Sequence, residues 1–453
     1  MRTQPAIQRP HAMPHDDSLP GLDVLLDPSR IGGLLEPHLL PGVTLLGAPR
    51  ATHVRYKQAT SALVAYAAEV RLPDGDEPHP WIFYGKSYTP EHFAMNAGKR
   101  ASRRWCDSPI IDPVVAVPDA ALMFYAFPND CGLTGLRLFA THRRVRRALY
   151  ESFPEFPRAV WRISEKWLAV EVVRYKPEKR AVVRVTTRAA RRAGGDERSL
   201  CAYIKTYTQR HGEMIAARFP AQHDRVPPGG PAVPRIRSIA CDGRALVLES
   251  LAGSDLRAVL QQPHAERVFA DVGAALAALH HTPCERWPHG GPAAARRSLA
   301  ATARALAATR SDAGLEFARA YTRLQVAPPD ESGGAALLHG DFHPGQVLVR
   351  ADGLGFLDFD RAHRGDPCAD VGNFLAHLHP AAPELPPGAS PAWTAAFVAA
   401  YERAAGSCLD PNRLRFWTAL GLLQLAGRPF RNLEFDWRTT TARLARASAE
   451  VLA

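Results

Sequence analysis

The sequence predicts an α+β protein with a strand-rich front and a helical back. Three patterns carry this. From about residue 40 to 262, short runs of β-branched and aromatic residues alternate with Gly and Pro, the pattern of strands and turns. From about 263 onward the chain turns to Ala, Leu and Arg, and Val268, Val272, Leu276 and Leu279 fall on one helical face. The third pattern is repetition. Val54-Arg55-Tyr56-Lys57 returns as Val173-Arg174-Tyr175-Lys176, and Tyr84-Gly85-Lys86-Ser87-Tyr88-Thr89 returns as Tyr203-Ile204-Lys205-Thr206-Tyr207-Thr208, each 119 positions later. A looser match sets residues 121–124 against 245–248, displaced by 124. The period is too long for a solenoid and indicates a duplicated small β domain. In chain order the expectation is a Pro- and His-rich disordered tail over 1–22, a first β copy over 23–150, a second over 151–255 and a helical part over 256–453.

The 453 residues are 46% hydrophobic and 22% charged, which excludes a disordered, collagenous or coiled-coil chain. The net charge of +11 suggests a nucleic-acid binder until its composition is read: seven of the 56 basic residues are lysine, and none follows Lys205. Arginine bias explains the excess, so no nucleic-acid partner is expected, and Arg143-Arg144-Val145-Arg146-Arg147 reads as a solvated helix face. Seven singly scattered cysteines without a CxxC pair argue against a disulfide framework or structural zinc. The first twenty residues hold no signal-peptide core, and no window reaches the apolar length of a membrane span. The expectation is a cytoplasmic protein without a membrane partner.

The chemistry concentrates in Leu337-Leu338-His339-Gly340-Asp341-Phe342-His343-Pro344-Gly345-Gln346-Val347-Leu348-Val349, followed by Gly355-Phe356-Leu357-Asp358-Phe359-Asp360 and Gly365-Asp366-Pro367. Val347–Val349 and Gly355–Leu357 flank an Asp352-Gly353 turn signal, which predicts a hairpin. Such a hairpin brings the loop before its first strand beside the residues after its second, so Asp341, Gln346 and Asp358 converge. That suits phosphoryl transfer, in which positioning and charge neutralisation supply most of the rate. Asp341 would take the proton of a substrate hydroxyl, while Asp358 and Gln346 offer oxygens to Mg²⁺. Asp360 is a second metal contact or a solvated turn acid. His339 is expected to brace the loop backbone, Asp366 to form a turn or start a helix, and Asp370 to hydrogen-bond the acid-bearing loop.

This segment, HGDFHPGQVL…LDFD…GDP, resembles the pattern HGDxHPxNxL…IDFD…GDP of the aminoglycoside phosphotransferase and choline kinase-like family. The likeness runs from about residue 155 to 445 and departs where Gln346 replaces the usual Asn. It implies a bilobal protein-kinase-like fold, with the second β copy as the β-rich N-lobe and residues 256–453 as the α-helical C-lobe. It further implies ATP, with GTP possible, and Mg²⁺ as cofactors, and a small-molecule hydroxyl such as a sugar, amino alcohol or aminoglycoside as acceptor. In such kinases a lysine on the third N-lobe strand meets the nucleotide phosphates and pairs with an acid on the next helix; Lys205 and Glu213 match. Lys176, Lys179 and Arg180, in the turn between the first two strands, would also face phosphates. Residues 249–251 match the interlobe linker that reads the purine edge. The first copy has no acid loop of its own; it is expected to be catalytically empty and to cap or brace the N-lobe, a layout similar to that of bacterial maltokinases, which have an added N-terminal cap domain. Four acids against seven arginines over 409–453 disfavour a polycationic acceptor. The alternative, resting on Gln346, is a nucleotide-binding pseudokinase with a regulatory role.

Overall fold

The computed structural model describes residues 16–73, 75–101, 103–209, 211–218, 230–259, 265–285, 287–326, 336–383 and 391–453. They form two compact units. One comprises Met1–Ala216, Ile236–Ser250 and Arg431–Phe435; the other comprises Ala217–Arg235, Leu251–Phe430 and Asp436–Ala453. The chain thus crosses between units at Ser250 and Leu251, inside the expected linker.

The first unit holds two antiparallel six-stranded sheets. The first contains β1 (Thr44–Leu45), β2 (Arg50–Lys57), β3 (Ser61–Arg71), β4 (His79–Tyr88), β5 (Val114–Val117) and β6 (Leu122–Ala126), ordered β1-β3-β4-β6-β5 with β2 also on β3. The second contains β7 (Trp161–Ile163), β8 (Ala169–Lys176), β9 (Arg180–Arg191), β10 (Glu197–Tyr207), β11 (Ile236–Ala240) and β12 (Ala245–Glu249), ordered β7-β9-β10-β12-β11 with β8 also on β9. Strand for strand the two orders are the same. Lys86 lies opposite Leu63 and Met123, and Lys205 lies opposite Val182 and Leu246. The cross-strand register therefore matches Met123 with Leu246 and shifts the third repeat by one residue from the displacement read in the sequence.

Helices precede the sheets in the same way. α1 (Leu22–Leu25) and α2 (Pro28–Leu35) come before the first sheet, α3 (Pro90–Ala101) follows β4, α4 (His142–Ser152) comes before the second sheet, and α5 (His211–Arg218) follows β10. Asp27 caps α2 through Ser29 N–H and Thr141 caps α4 through Arg144 N–H. On α4, Val145 and Leu149 are buried with Val183, Val185, Ala202, Ile204, Ala245 and Val247, while Arg143, Arg144 and Arg147 are exposed. The arginine cluster is thus an exposed helix face. The expected boundary at 150/151 falls inside α4, whose apolar side belongs to the second sheet's core.

The inner end of the expected 1–22 tail is packed. Leu19 and Leu22 are buried, and Asp16 accepts from Tyr56 Oη and Ala59 N–H, both at 2.8 Å. Residues 1–15 lie outside the described residues.

In the second unit, β13 (Ser254–Asp255), β15 (Val347–Arg350) and β16 (Gly353–Phe356) form one sheet, and β14 (Ala336–Leu338) pairs with β17 (His363–Gly365). Around them lie α6 (Ala265–His280), α7 (Pro292–Ala308), α8 (Asp312–Val326), α9 (Cys368–Leu378), α10 (Pro391–Ala405), α11 (Pro411–Asn432) and α12 (Trp437–Val451). All four predicted positions of α6 are buried. α10 approaches α6 so closely that a Cβ on Gly273 would stand 2.2 Å from the Phe397 carbonyl oxygen. Phe374 stacks on Phe342 and on Phe397, tying the core to the loop that bears Asp341. All seven cysteines are free thiols, and among the described residues no helix is long and apolar enough to cross a membrane.

Candidate active site

The acid-bearing loop leaves β14 at His339. Gly340 has φ +78°, and a Cβ there would lie 2.2 Å from the Arg361 carbonyl oxygen, so only glycine fits the turn. His339 is fully buried. Its Nε2–H donates to the Leu357 carbonyl at 2.6 Å, which leaves Nδ1 to accept from Asp341 N–H at 3.3 Å. One imidazole therefore ties the Asp341 backbone to the residue preceding Asp358.

The hairpin forms as expected, with its turn one residue earlier. Arg350 pairs with Gly353, so Ala351 and Asp352 make the turn and Gly353 opens β16. Leu357 N–H then donates to the Gln346 carbonyl at 2.9 Å. The loop carrying Asp341, the residue Gln346 and the entry to Asp358 are thus joined by hydrogen bonds through His339 and Leu357. Asp358 is left-handed at φ +64°, a conformation aspartate tolerates better than most residues. Asp360 sits one residue before Arg361, in the short 3₁₀ turn that follows Asp358.

Beneath the loop, Asp370 at the start of α9 accepts from His339 N–H at 2.5 Å, Gly340 N–H at 2.9 Å and His280 Nε2 at 3.3 Å. Asp366 accepts from Cys368 N–H, Arg413 Nε and Trp417 Nε1, so it clasps α11 and starts α9. Burial works to raise the Asp341 carboxyl, but Arg361, His343, Arg428 and His339 outweigh it and hold the group below its ordinary value. Arg361 stands 3.8 Å from Asp341 Oδ1. The carboxylate form is what a proton acceptor needs.

The oxygens of Asp358 and Gln346 are hard donors of the kind Mg²⁺ takes. Mg²⁺ commonly uses one or two carboxylates and completes its shell with phosphate and water. Among the described residues no three His, Cys, Asp or Glu side chains gather into a protein cage, and that mode of binding needs none. Gln346 is buried, and its side-chain amide lies 3.2 Å from His343 Nε2.

In the first unit, Lys205 is half-buried on β10. The register puts Lys176, Arg180 and Lys205 on one face of the second sheet. Ala181, Val183, Ala202 and Ile204 point to the other face, into the core. Lys179 is exposed in the β8–β9 turn. Lys176 and Lys179 also approach the first sheet: burial first, then the charges of Lys176, Arg55, Lys179 and Arg174, lower the His53 imidazole to about 3. Glu213 on α5 packs against Gly243 of the β11–β12 turn.

The residue missed in the β8–β9 turn is its acid. Glu178 has φ +57° and accepts from Lys86 Nζ with both oxygens, at 2.9 and 2.7 Å, and from Arg55 Nη2 at 3.0 Å. The signal available in the sequence was Lys86 itself, a lysine retained at the position matching Lys205. A groove of about 1040 Å³ in this unit is lined chiefly by arginines, among them Arg143, Arg147, Arg158 and Arg192, and by none of the predicted nucleotide residues.

The chain belongs to the phosphotransferase enzyme family, whose model matches residues 162–417. Among solved structures it is similar to the choline kinase of Cryptosporidium parvum, at 10% identity over 68% of this chain and 95% of that one with a TM-score of 0.49. It is also similar to an aminoglycoside phosphotransferase, at 17% identity over 69% and 100% with a TM-score of 0.47. A third is the macrolide 2′-phosphotransferase of Brachybacterium faecium, at 17% identity over 66% and 97% with a TM-score of 0.41. No curated protein sequence matches the chain.

Proposed function

We propose that the protein is an ATP-dependent kinase that moves the γ-phosphate to a hydroxyl of a small molecule. The observation that carries this is Asp341, held as a carboxylate on a glycine turn and tied through His339 to the entry of Asp358. Asp341 accepts the acceptor's proton as the phosphoryl group arrives. Asp358 and Gln346 hold the Mg²⁺ that neutralises the phosphates, with Asp360 as a further oxygen donor nearby. Lys205 meets the phosphates and Glu213 steadies it; Arg180, on the same face as Lys205, adds charge, with Lys176 and Lys179 at the same turn.

The shared strand order supports reading the first sheet as a second, catalytically empty copy of the N-lobe. A further repeat agrees: Asp16, Leu19, Gly21 and Leu22 return as Asp130, Leu133, Gly135 and Leu136, 114 positions later. The acceptor is a neutral or anionic alcohol such as a sugar, by the arginine excess near the C-terminus. Nucleotide consumption screened against sugars, amino alcohols and aminoglycosides, with Asp341→Asn as the blank, tests the reading. Turnover that no acceptor raises above that blank refutes it. Gln346 in place of Asn favours one second reading, a nucleotide-binding pseudokinase. Stabilisation by Mg-nucleotide without any turnover would select it.

A further inference from the structure

The tips of the two hairpins are built alike. In the first sheet Asp16 accepts from Tyr56 Oη and from the N–H of Ala59, whose φ is +52°. In the second, Asp130 Oδ2 accepts from Tyr175 Oη at 2.8 Å and from the N–H of Glu178 at 2.9 Å, while its Oδ1 accepts from Gly132 and Leu133 N–H. Both tips are left-handed residues pinned by an aspartate and a tyrosine. The difference lies in the side chain. Ala59 carries nothing beyond its methyl group, whereas Glu178 extends a carboxylate to Lys86 and Arg55.

The hairpin shape does not require that carboxylate, since the first tip holds its shape without one. The lysine that receives it stands where the second sheet has Lys205. A carboxylate with two oxygens on one ammonium and a guanidinium beside it replaces, at Lys86, the anion that a phosphate would supply at Lys205. The group is enclosed: the Lys86, Glu178 and Arg55 side chains are 14%, 15% and 17% exposed. Arg55 Nη1 donates to the Pro177 carbonyl at 3.1 Å as well. Gly132 lets the turn approach, since a Cβ there would stand 2.9 Å from Glu178 Cα.

We propose that the first sheet is a positioning lobe: its Lys86 and Arg55 bind Glu178 as an internal anion, which closes that sheet to nucleotide and fixes the β8–β9 hairpin for phosphate binding at Lys205. This rests on the reading of the second sheet as the nucleotide lobe. Lys86, Arg55 and Glu178 are positioning residues, acting through the hairpin without touching substrate. The ion pair is too enclosed to be discounted as a surface pair, and it joins the β8–β9 hairpin to the first sheet.

The test is calorimetric titration of the full chain with Mg-ADP, together with amide hydrogen exchange across residues 176–181. Wild type, Glu178→Gln, Lys86→Met and the charge exchange Lys86→Glu with Glu178→Lys are compared. Wild type should bind one nucleotide per chain. Glu178→Gln and Lys86→Met should weaken binding about tenfold and speed exchange in the turn, with the nucleotide KM rising and kcat at saturation changing less than about twofold. The charge exchange should recover most of the affinity. Glu178→Gln preserves side-chain size and keeps the test open if Lys86→Met fails to fold. Variants that bind as tightly as a wild type of one-to-one stoichiometry overturn the positioning role alone, and two nucleotides per wild-type chain overturn the closed first sheet. A wild type that binds no nucleotide overturns the kinase reading, and the positioning role falls with it.

Discussion

Asp370 offers the sharpest quantitative test of how the acid-bearing loop is held. It is 1% exposed; Oδ2 receives His339 N–H and His280 Nε2–H, and Oδ1 receives Gly340 N–H. In Asp370→Asn the single oxygen can keep the first pair, but the amide NH₂ then faces Gly340 N–H. A buried donor left unmet costs about 1–3 kcal/mol. The two retained bonds lose their charge, at about 1 kcal/mol each by the difference between charged and neutral bonds. The expected loss is therefore about 3–5 kcal/mol, a large share of the roughly 5–15 kcal/mol that stabilises a domain. Urea unfolding of the two proteins side by side measures it, and hydrogen exchange at residues 339–341 localises it.

The pH dependence supplies a second arm. Burial alone would raise the Asp370 carboxyl, but the bond and charge of His280, the His339 position and Gly340 N–H hold it below its ordinary value. A carboxyl depressed in the folded state contributes stability that is complete above its unfolded value near 4 and fades as pH falls through the folded value. The gap between wild type and Asp370→Asn should then be widest at neutral pH and shrink below about pH 4. A gap under about 1 kcal/mol at neutral pH, or one that stays constant from about pH 6 to pH 3, refutes the three-bond account.

Three other outcomes follow from the same geometry. Gly340→Ala should abolish acceptor-dependent turnover and lower stability by more than about 2 kcal/mol, because its Cβ collides with the Arg361 carbonyl at a φ that disfavours alanine; turnover and urea unfolding check both. His53 is neutral in the folded chain down to about 3, so protonation of the unfolded state should cost about 1 kcal/mol by pH 5.5 and nothing above the unfolded value near 6.5. His53→Gln should flatten that slope in stability measured from pH 7.5 to about 5. Gln346→Asn shortens the stem by one methylene and should move the Mg²⁺ concentration giving half-maximal turnover, whereas a Gln346 that holds no metal leaves it unchanged.

The helical back was legible because its code is local. Four apolar positions at helical spacing named the buried face of α6, and no distant residue was needed to read it. The hairpin after Gln346 was legible for the same reason, to within one residue, because Asp-Gly marks a turn without stating whether glycine lies in it or closes it. The bracing of the loop by His339 and Asp370 was legible in kind but not in partner. Nothing local says that one imidazole reaches from Asp341 N–H to the Leu357 carbonyl, or that Asp370 gathers three donors. Glu178 was illegible for a stronger reason. Its partner Lys86 lies 92 positions away on another sheet, and cross-sheet ion pairs leave no periodicity.

Residues 16–22 show why one fixed offset misses part of the likeness between the two sheets. Seven residues from Asp16 and seven from Asp130 agree at four positions, but their displacement is 114, whereas the strand words are displaced by 119 and the register of β6 and β12 by 123. A search at one fixed offset finds only the middle of the pattern. Drift of this kind is what two sheets of equal strand order require when their loops differ in length, because cross-strand pairing holds each strand while turns absorb insertions. The lysines fit the same logic. In a chain that otherwise favours arginine, an ammonium persists at Lys86, where it stands over the Tyr88 ring at 4.9 Å and meets both Glu178 oxygens. A planar fork already comes to that carboxylate from Arg55. A second fork would need the same in-plane approach, whereas a compact point charge accepts the remaining direction.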